Sequence, residues 1–314
     1  MQAQEKAVKM IPSGRNAERV VSAEQLEQQV EFLTDTLIKG RATGSYGANE
    51  TAFWISRQFR EAGLKSFGNT WSQSFPVGKE IGHNVLGFMP GKREGSRQMY
   101  VLVTAHYDSH GIIEGKLYPG ADSNASGVVA MVNIARMFAR MKELGRSYGK
   151  NLIFAGLDAR ERNSLGAETL WRDIEEGRLK DPESGETITP SMIHSVVVLD
   201  ILGSTLSPIH KGKKDYLIML GGGGYSYDLQ RANENPGLGL DLGFDYYGSE
   251  GFTDMFHSKV GDQKVFSQKG RLCVVFTSGI TMKTNKVEDD YLSLNYEIFK
   301  RRVFLIFHWL TKVL

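Results

Sequence analysis

The 314-residue chain has a single cysteine, Cys273. No intrachain disulfide can form, and thiolate metal sites are excluded. Long apolar runs are missing as well: none approaches the ~20 residues that a membrane span needs. Charge of one sign is missing too. Lys and Arg number 38 against 36 Asp and Glu, a formal net charge of +2. That balance gives no reason to expect nucleic acid or an acidic membrane as partner. The opening Met1 to Lys9 lacks the apolar stretch of a signal peptide. Either the protein stays in the cytoplasm or an export signal was removed earlier. Gly221-Gly222-Gly223-Gly224 lacks the Gly-Lys-Ser/Thr ending of a phosphate loop and reads as a strand-to-helix turn. No nucleophile elbow is present, which argues against a serine hydrolase.

What is present alternates between strand and helix. Ser22-Ala23-Glu24-Gln25 reads as a capping box that opens a helix through Val30, Leu33, Leu37 and Ile38. A second amphipathic helix is expected from about Glu50 to Ala62, closed by Gly63. Its Phe53, Trp54 and Phe59 are expected in the core. Gly127 to Met141 has helical periodicity, as does Tyr296 to Leu314. Asn84 to Phe88 and Met99 to Thr104 read as strands. Leu152 to Leu157, Ser195 to Leu199, Tyr216 to Leu220 and Leu272 to Thr277 are unbroken apolar runs of strand length. Such runs suit central strands buried on both faces, and they place Cys273 in the core. The pattern predicts an α/β sandwich, and no boundary divides residues 1–314 into more than one domain.

The chemistry concentrates in Ala105-His106-Tyr107-Asp108-Ser109 and in Pro119-Gly120-Ala121-Asp122-Ser123-Asn124-Ala125-Ser126-Gly127. His106 ends an apolar strand, where ligand sites of open α/β sheets gather. Asp108 can accept the hydrogen bond that orients its ring. Asp122 lies in a Gly-bearing turn before a helix. Glu161 and Asp200 follow two further apolar strands. Singly these are a core histidine, an N-cap and turn residues. Together, one imidazole and three carboxylates at strand ends suit an N/O zinc site.

At these residues the chain resembles the zinc-dependent aminopeptidases that include bacterial leucyl aminopeptidases, with glutamate carboxypeptidase II and glutaminyl cyclase as relatives. The resemblance also takes in Gly40 to Ser45, Asn84 to Gly87, Phe154 to Gly166, Val196 to Gly203 and Lys264 to Gly279. It implies a three-layer sandwich, with a twisted, mixed, mostly parallel sheet between helices. It implies that His106 and Asp200 bind one zinc, that Asp122 bridges two, and that Glu161 binds the other. Asp108 is then the partner of His106. In the family, a glutamate directly before the ligand glutamate takes the proton of the attacking water.

The chain departs from that pattern. Arg160 stands at the general-base position, and an arginine keeps its proton. Asn285 falls where the last histidine ligand belongs, and no histidine lies between His257 and His308. Ser123 replaces a second aspartate, and Gln263 replaces a histidine in Gly261-Asp262-Gln263. Either Arg160 supplies charge in place of one metal, or it points to solvent and zinc still binds. The expectation is a family member that binds peptide or protein N-termini with little or no hydrolysis, holding one zinc ion at most. The alternative is an active aminopeptidase with a one-metal site. Glutaminyl cyclisation ranks third, because it needs the lost ligand. Resemblance also implies an exported or periplasmic location.

Overall fold

A computed structural model describes residues 14–92 and 98–314. The strands are β1 (Ser72–Val77), β2 (Glu80–Met89), β3 (Tyr100–His106), β4 (Gly111–Ile113) and β5 (Lys116–Tyr118). They continue with β6 (Asn151–Leu157), β7 (Ile193–Leu199), β8 (Tyr216–Leu220), β9 (Asp241–Gly243) and β10 (Leu272–Thr277). Eight of them form one sheet in the order β1-β2-β6-β3-β7-β10-β8-β9, while β4 and β5 make a separate hairpin. The centre, β6-β3-β7-β10, is parallel throughout. The β1-β2, β2-β6 and β10-β8 pairs are antiparallel. Met99 to Thr104, Leu152 to Leu157, Ser195 to Leu199 and Leu272 to Thr277 correspond to these four central strands, and Tyr216 to Leu220 is β8 beside them. Every residue of β3 and β6 is buried, because helices cover both faces of the sheet.

The helices are α1 (Gly14–Glu18), α2 (Ala23–Thr34), α3 (Tyr46–Glu61), α4 (Ser126–Glu143) and α5 (Leu165–Glu175). After them come α6 (Ser226–Glu234), α7 (Glu250–Asp254), α8 (Gln263–Gln268) and α9 (Tyr296–Val313). The Ser22 hydroxyl caps α2 by accepting from the Gln25 N–H at 3.1 Å. Helix α3 begins four residues earlier than its periodicity suggested, because Ser45 caps it through the Ala48 N–H. Trp54 and Phe59 are buried, but Phe53 is 64% exposed and points away from the core. A step of one residue turns a helix by about 100°, so adjacent aromatics cannot share a buried face.

Two core layers result. One packs α4, α9, α2 and α3 against one face of the sheet, with Met131, Phe138 and Phe307 inside. The other packs Trp171 of α5 and Phe266 of α8 against the opposite face. Cys273 is buried in this second layer. No helix among the described residues is long and apolar enough to cross a membrane.

Candidate active site

Parallel strands end on a common edge, so β3, β6 and β7 deliver His106, the Asp158–Glu161 turn and Asp200 to one place. His106 is nearly enclosed. Its Nδ1 faces Asp108, 3.1 Å from the backbone carbonyl oxygen and 3.5 Å from Oδ1. The expected partner is therefore present, with the carbonyl closer than the carboxylate. On the other side, Nε2 lies 3.5 Å from Asp200 Oδ1. Burial opposes protonation of the imidazole, but the flanking Asp108 and Asp200 carboxylates outweigh it and hold the ring at about 9.

Arg160 turns into the same cleft. Ala159 in the left-handed region starts a short 3₁₀ turn, Arg160–Arg162, at the end of β6. The guanidinium donates to Glu161 Oε1 at 2.7 Å and lies 3.8 Å from Asp200 Oδ2. Its side chain is 22% exposed. Burial works against its charge, yet Asp200, Glu161, Asp262 and Asp108 together raise its pKa above the usual arginine range. The Glu161 N–H donates to Asp108 Oδ2 at 3.0 Å, which ties the turn to the strand carrying His106. For Asp200, burial disfavours the charge, but the Arg160 guanidinium and then His106 keep its pKa low.

Asp122 is engaged differently. Its Oδ1 accepts from the Gly203 N–H at 2.7 Å and the Ser126 hydroxyl at 3.1 Å, and its Oδ2 accepts from the Ser204 N–H at 3.2 Å. Burial first, and Asp289 second, push its carboxyl up to about 7. Asn285 is committed as well: its Oδ1 lies 2.9 Å from the Ser123 hydroxyl, which is also 2.6 Å from Asp289 Oδ2. His257 and His308 offer no substitute imidazole. His257 Nε2 meets the Cys273 carbonyl, and His308 pairs with Glu18.

The structure thus gathers His106, Asp108, Arg160, Glu161 and Asp200. The Asp122 carboxylate is held against the backbone beyond β7. Among the described residues, no group of three or more His, Cys, Asp or Glu side chains is arranged to hold a metal ion. Two buried atoms facing each other, His106 Nε2 and Asp200 Oδ1, meet no hydrogen-bond partner. That pair fits one edge of a zinc coordination shell. The Arg160 guanidinium already stands against two residues of the two-zinc set that the resemblance implies, Glu161 and Asp200.

Sequence reasoning missed several contributors. Arg41 is fully buried and donates to the carbonyls of Leu33, Tyr107, Pro119 and Gly120, which sets the loop between His106 and Asp122. Asn124 joins strand ends by donating to the His106 and Leu199 carbonyls and accepting from the Ile201 and Gly127 N–H groups. Asp262 is buried, and neither of its carboxylate oxygens meets a hydrogen-bond partner among the described residues. His110 sits 3.4 Å from Glu161 Oε2. Arg41, Asn124 and Asp262 lie in segments singled out in the sequence but had no role assigned there; the signal for His110 is a second imidazole four residues after the first.

Residues 84–212 match peptidase family M28. The alkaline phosphatase isozyme conversion protein of Escherichia coli is 26% identical over 53% of this chain and 50% of its own length. Leucine aminopeptidase 1 of Leptosphaeria maculans is 27% identical over 42% and 34%. BOS complex subunit ncln of Danio rerio is 44% identical over 41% and 22%. The chain thus spans half or less of the length of these curated relatives. Among solved structures, LapB of Legionella pneumophila superposes with a TM-score of 0.71 at 16% identity, over 98% of this chain and 78% of that one. The zinc aminopeptidase BSAP of Bacillus subtilis gives 0.68 at 13%, over 93% and 95%. The glutaminyl cyclase of Fimbriiglobus ruber gives 0.69 at 16%, over 92% and 95%. The sequence match to peptidase family M28 runs over residues 84–212, and the fold over nearly the whole chain is that of these solved structures.

Proposed function

We propose that this protein binds the N-terminal end of a peptide or partner protein and hydrolyses it little or not at all. The observation that carries the reading is Arg160, whose guanidinium lies 2.7 Å from Glu161 and 3.8 Å from Asp200 at the general-base position. A permanently protonated group cannot accept a proton from water. A positioned general base contributes roughly 10²–10⁴-fold in rate. Its replacement removes that factor.

Binding needs no base. Asp108, Glu161, Asp200 and Asp262 outnumber the two cationic groups, Arg160 and His106, so the cleft has excess negative charge. A peptide ammonium is attracted to the exposed member of this set, Glu161. Zinc is typical of the family. Here Arg160 neutralises part of two carboxylates, which leaves the cleft suited to one ion rather than two. A bound zinc would supply Lewis acidity, with His106 and Asp200 as its holders. The facing, unpartnered atoms of this pair also favour the second reading, a slow one-metal aminopeptidase.

One relative is named as a subunit of a complex, and a protein partner is accordingly part of the proposal. So is export, to be checked by cell fractionation. The binding test is calorimetry with a short peptide and its N-acetylated form. The account expects the free amine to bind and acetylation to abolish binding. Equal binding of both, or of neither, would remove the N-terminus from the proposal.

A further inference from the structure

A groove of about 500 Å³ opens where the 3₁₀ turn Arg160–Arg162 meets the turn between β1 and β2. Its lining is partly apolar. Val77 and Ala159 belong to one small buried cluster, and Leu165 at the start of α5 packs against it. This packing holds the β1-β2 turn against the residues around Glu161. Lys79, Arg162 and Asn163 also line the groove.

The two cations here are unspent. Arg160 is engaged by Glu161 and Asp200. Neither the Lys79 ammonium nor the Arg162 guanidinium forms an ion pair or hydrogen bond among the described residues. The one acid of the groove, Glu80, lies along Gly44, where an added Cβ would meet its Cβ at 2.8 Å and its Cδ at 3.0 Å. Gly44 precedes the Ser45 cap of α3, and the start of a helix favours a carboxylate. The groove thus carries two cations against one acid, whereas the cleft has excess negative charge. Glu161 and Arg162 are consecutive, and their Cα atoms are about 3.8 Å apart. A peptide held at Glu161 by its amine needs only a few residues to reach Arg162.

We propose that this groove is a second subsite for the bound peptide, taking an acidic side chain a few residues downstream of the N-terminus. The proposal rests on the reading that the cleft holds a peptide amine. Arg162 offers a fork of donors that matches a carboxylate, and Lys79 adds a point charge. Val77 and Leu165 supply apolar surface for the aliphatic stem of a glutamate. Exposed ion pairs are weak singly and are screened by salt, so the subsite sets preference among peptides rather than overall affinity.

The test is calorimetry on the full chain at low salt. The ligands are C-terminally amidated alanine-based peptides carrying Glu, Gln or Lys at the second, third or fourth position. At the best position the glutamate peptide should bind about tenfold tighter than the lysine peptide, with glutamine between them, and added salt should shrink the ratio. Arg162→Gln with Lys79→Gln should bring the three within about twofold of one another, and Arg162→Glu with Lys79→Glu should reverse the order. Circular dichroism checks that each variant is folded. Equal affinity for the glutamate and lysine peptides, or a preference unchanged in the glutamine double variant, would overturn the assignment. N-acetylated controls separate the two readings. Peptides that bind, lose binding on acetylation and show no preference among Glu, Gln and Lys would remove the subsite alone. Binding that ignores acetylation, or is absent, would remove the N-terminal reading and the subsite with it.

Discussion

Asp289 accepts the backbone N–H of Asp122 at 2.7 Å across 167 positions of sequence. Its other oxygen takes the Ser123 N–H at 3.1 Å and lies 2.6 Å from the Ser123 hydroxyl. The loop before α9 is thereby clamped onto the turn that opens α4. Hydrogen bonds to a charged acceptor contribute about 1.5–3 kcal/mol each, and burial makes an unpaired donor costly.

Asp289→Ala should therefore destabilise the protein by about 2–4 kcal/mol. Urea unfolding monitored by tryptophan fluorescence measures this. A loss under about 0.5 kcal/mol, the range of ordinary surface changes, would mean that the clamp is dispensable.

The contrast between Asp289 and His106 shows what the sequence makes legible. His106, Asp200 and Glu161 were readable because each follows an apolar run that could only be a buried central strand, and parallel strands share an edge. Asp289 lies in Glu288-Asp289-Asp290, an acidic run that reads as a solvated turn. Its role depends on a contact set only when the sheet closes. Arg41 sits in a polar, glycine-bearing stretch, and nothing local announces its four carbonyl partners. The hairpin of β4 and β5 was invisible because its strands are three residues long. The Asp122 carboxylate illustrates a further limit. A motif fixes where the backbone goes, while the rotamer depends on the amides of Gly203 and Ser204.

Cys273 tests the packing of the second core layer. Burial pushes its thiol up to about 12, so almost no thiolate forms near neutrality. The native protein should resist a thiol-specific reagent at pH 8 and react with one equivalent after unfolding in guanidinium. Rapid labelling of the folded protein would contradict the burial of β10.

Arg160→Ala removes the cation that separates Glu161 from Asp200. Deleting one partner of a buried ion pair costs about 3–5 kcal/mol. Solvent at the cleft mouth screens the acids, so about 1–3 kcal/mol is expected here. Excess zinc should raise the melting temperature of the variant more than that of wild type, because an ion bound to the native state stabilises it by mass action. Differential scanning fluorimetry with and without zinc measures both effects. A variant that melts like wild type and responds equally to zinc would mean that Arg160 does not neutralise the cleft.

Turnover tests the central claim most directly. The protein is stripped of metal, reloaded with zinc, and assayed on chromogenic aminoacyl amides beside Arg160→Glu and the double variant Arg160→Glu with Asn285→His. With Arg160 in place, wild type should stay near the uncatalysed background. Arg160→Glu alone should restore little, and the double variant should gain both zinc affinity and activity. Wild-type turnover at ordinary enzyme rates, about 1–10³ s⁻¹, would contradict the account.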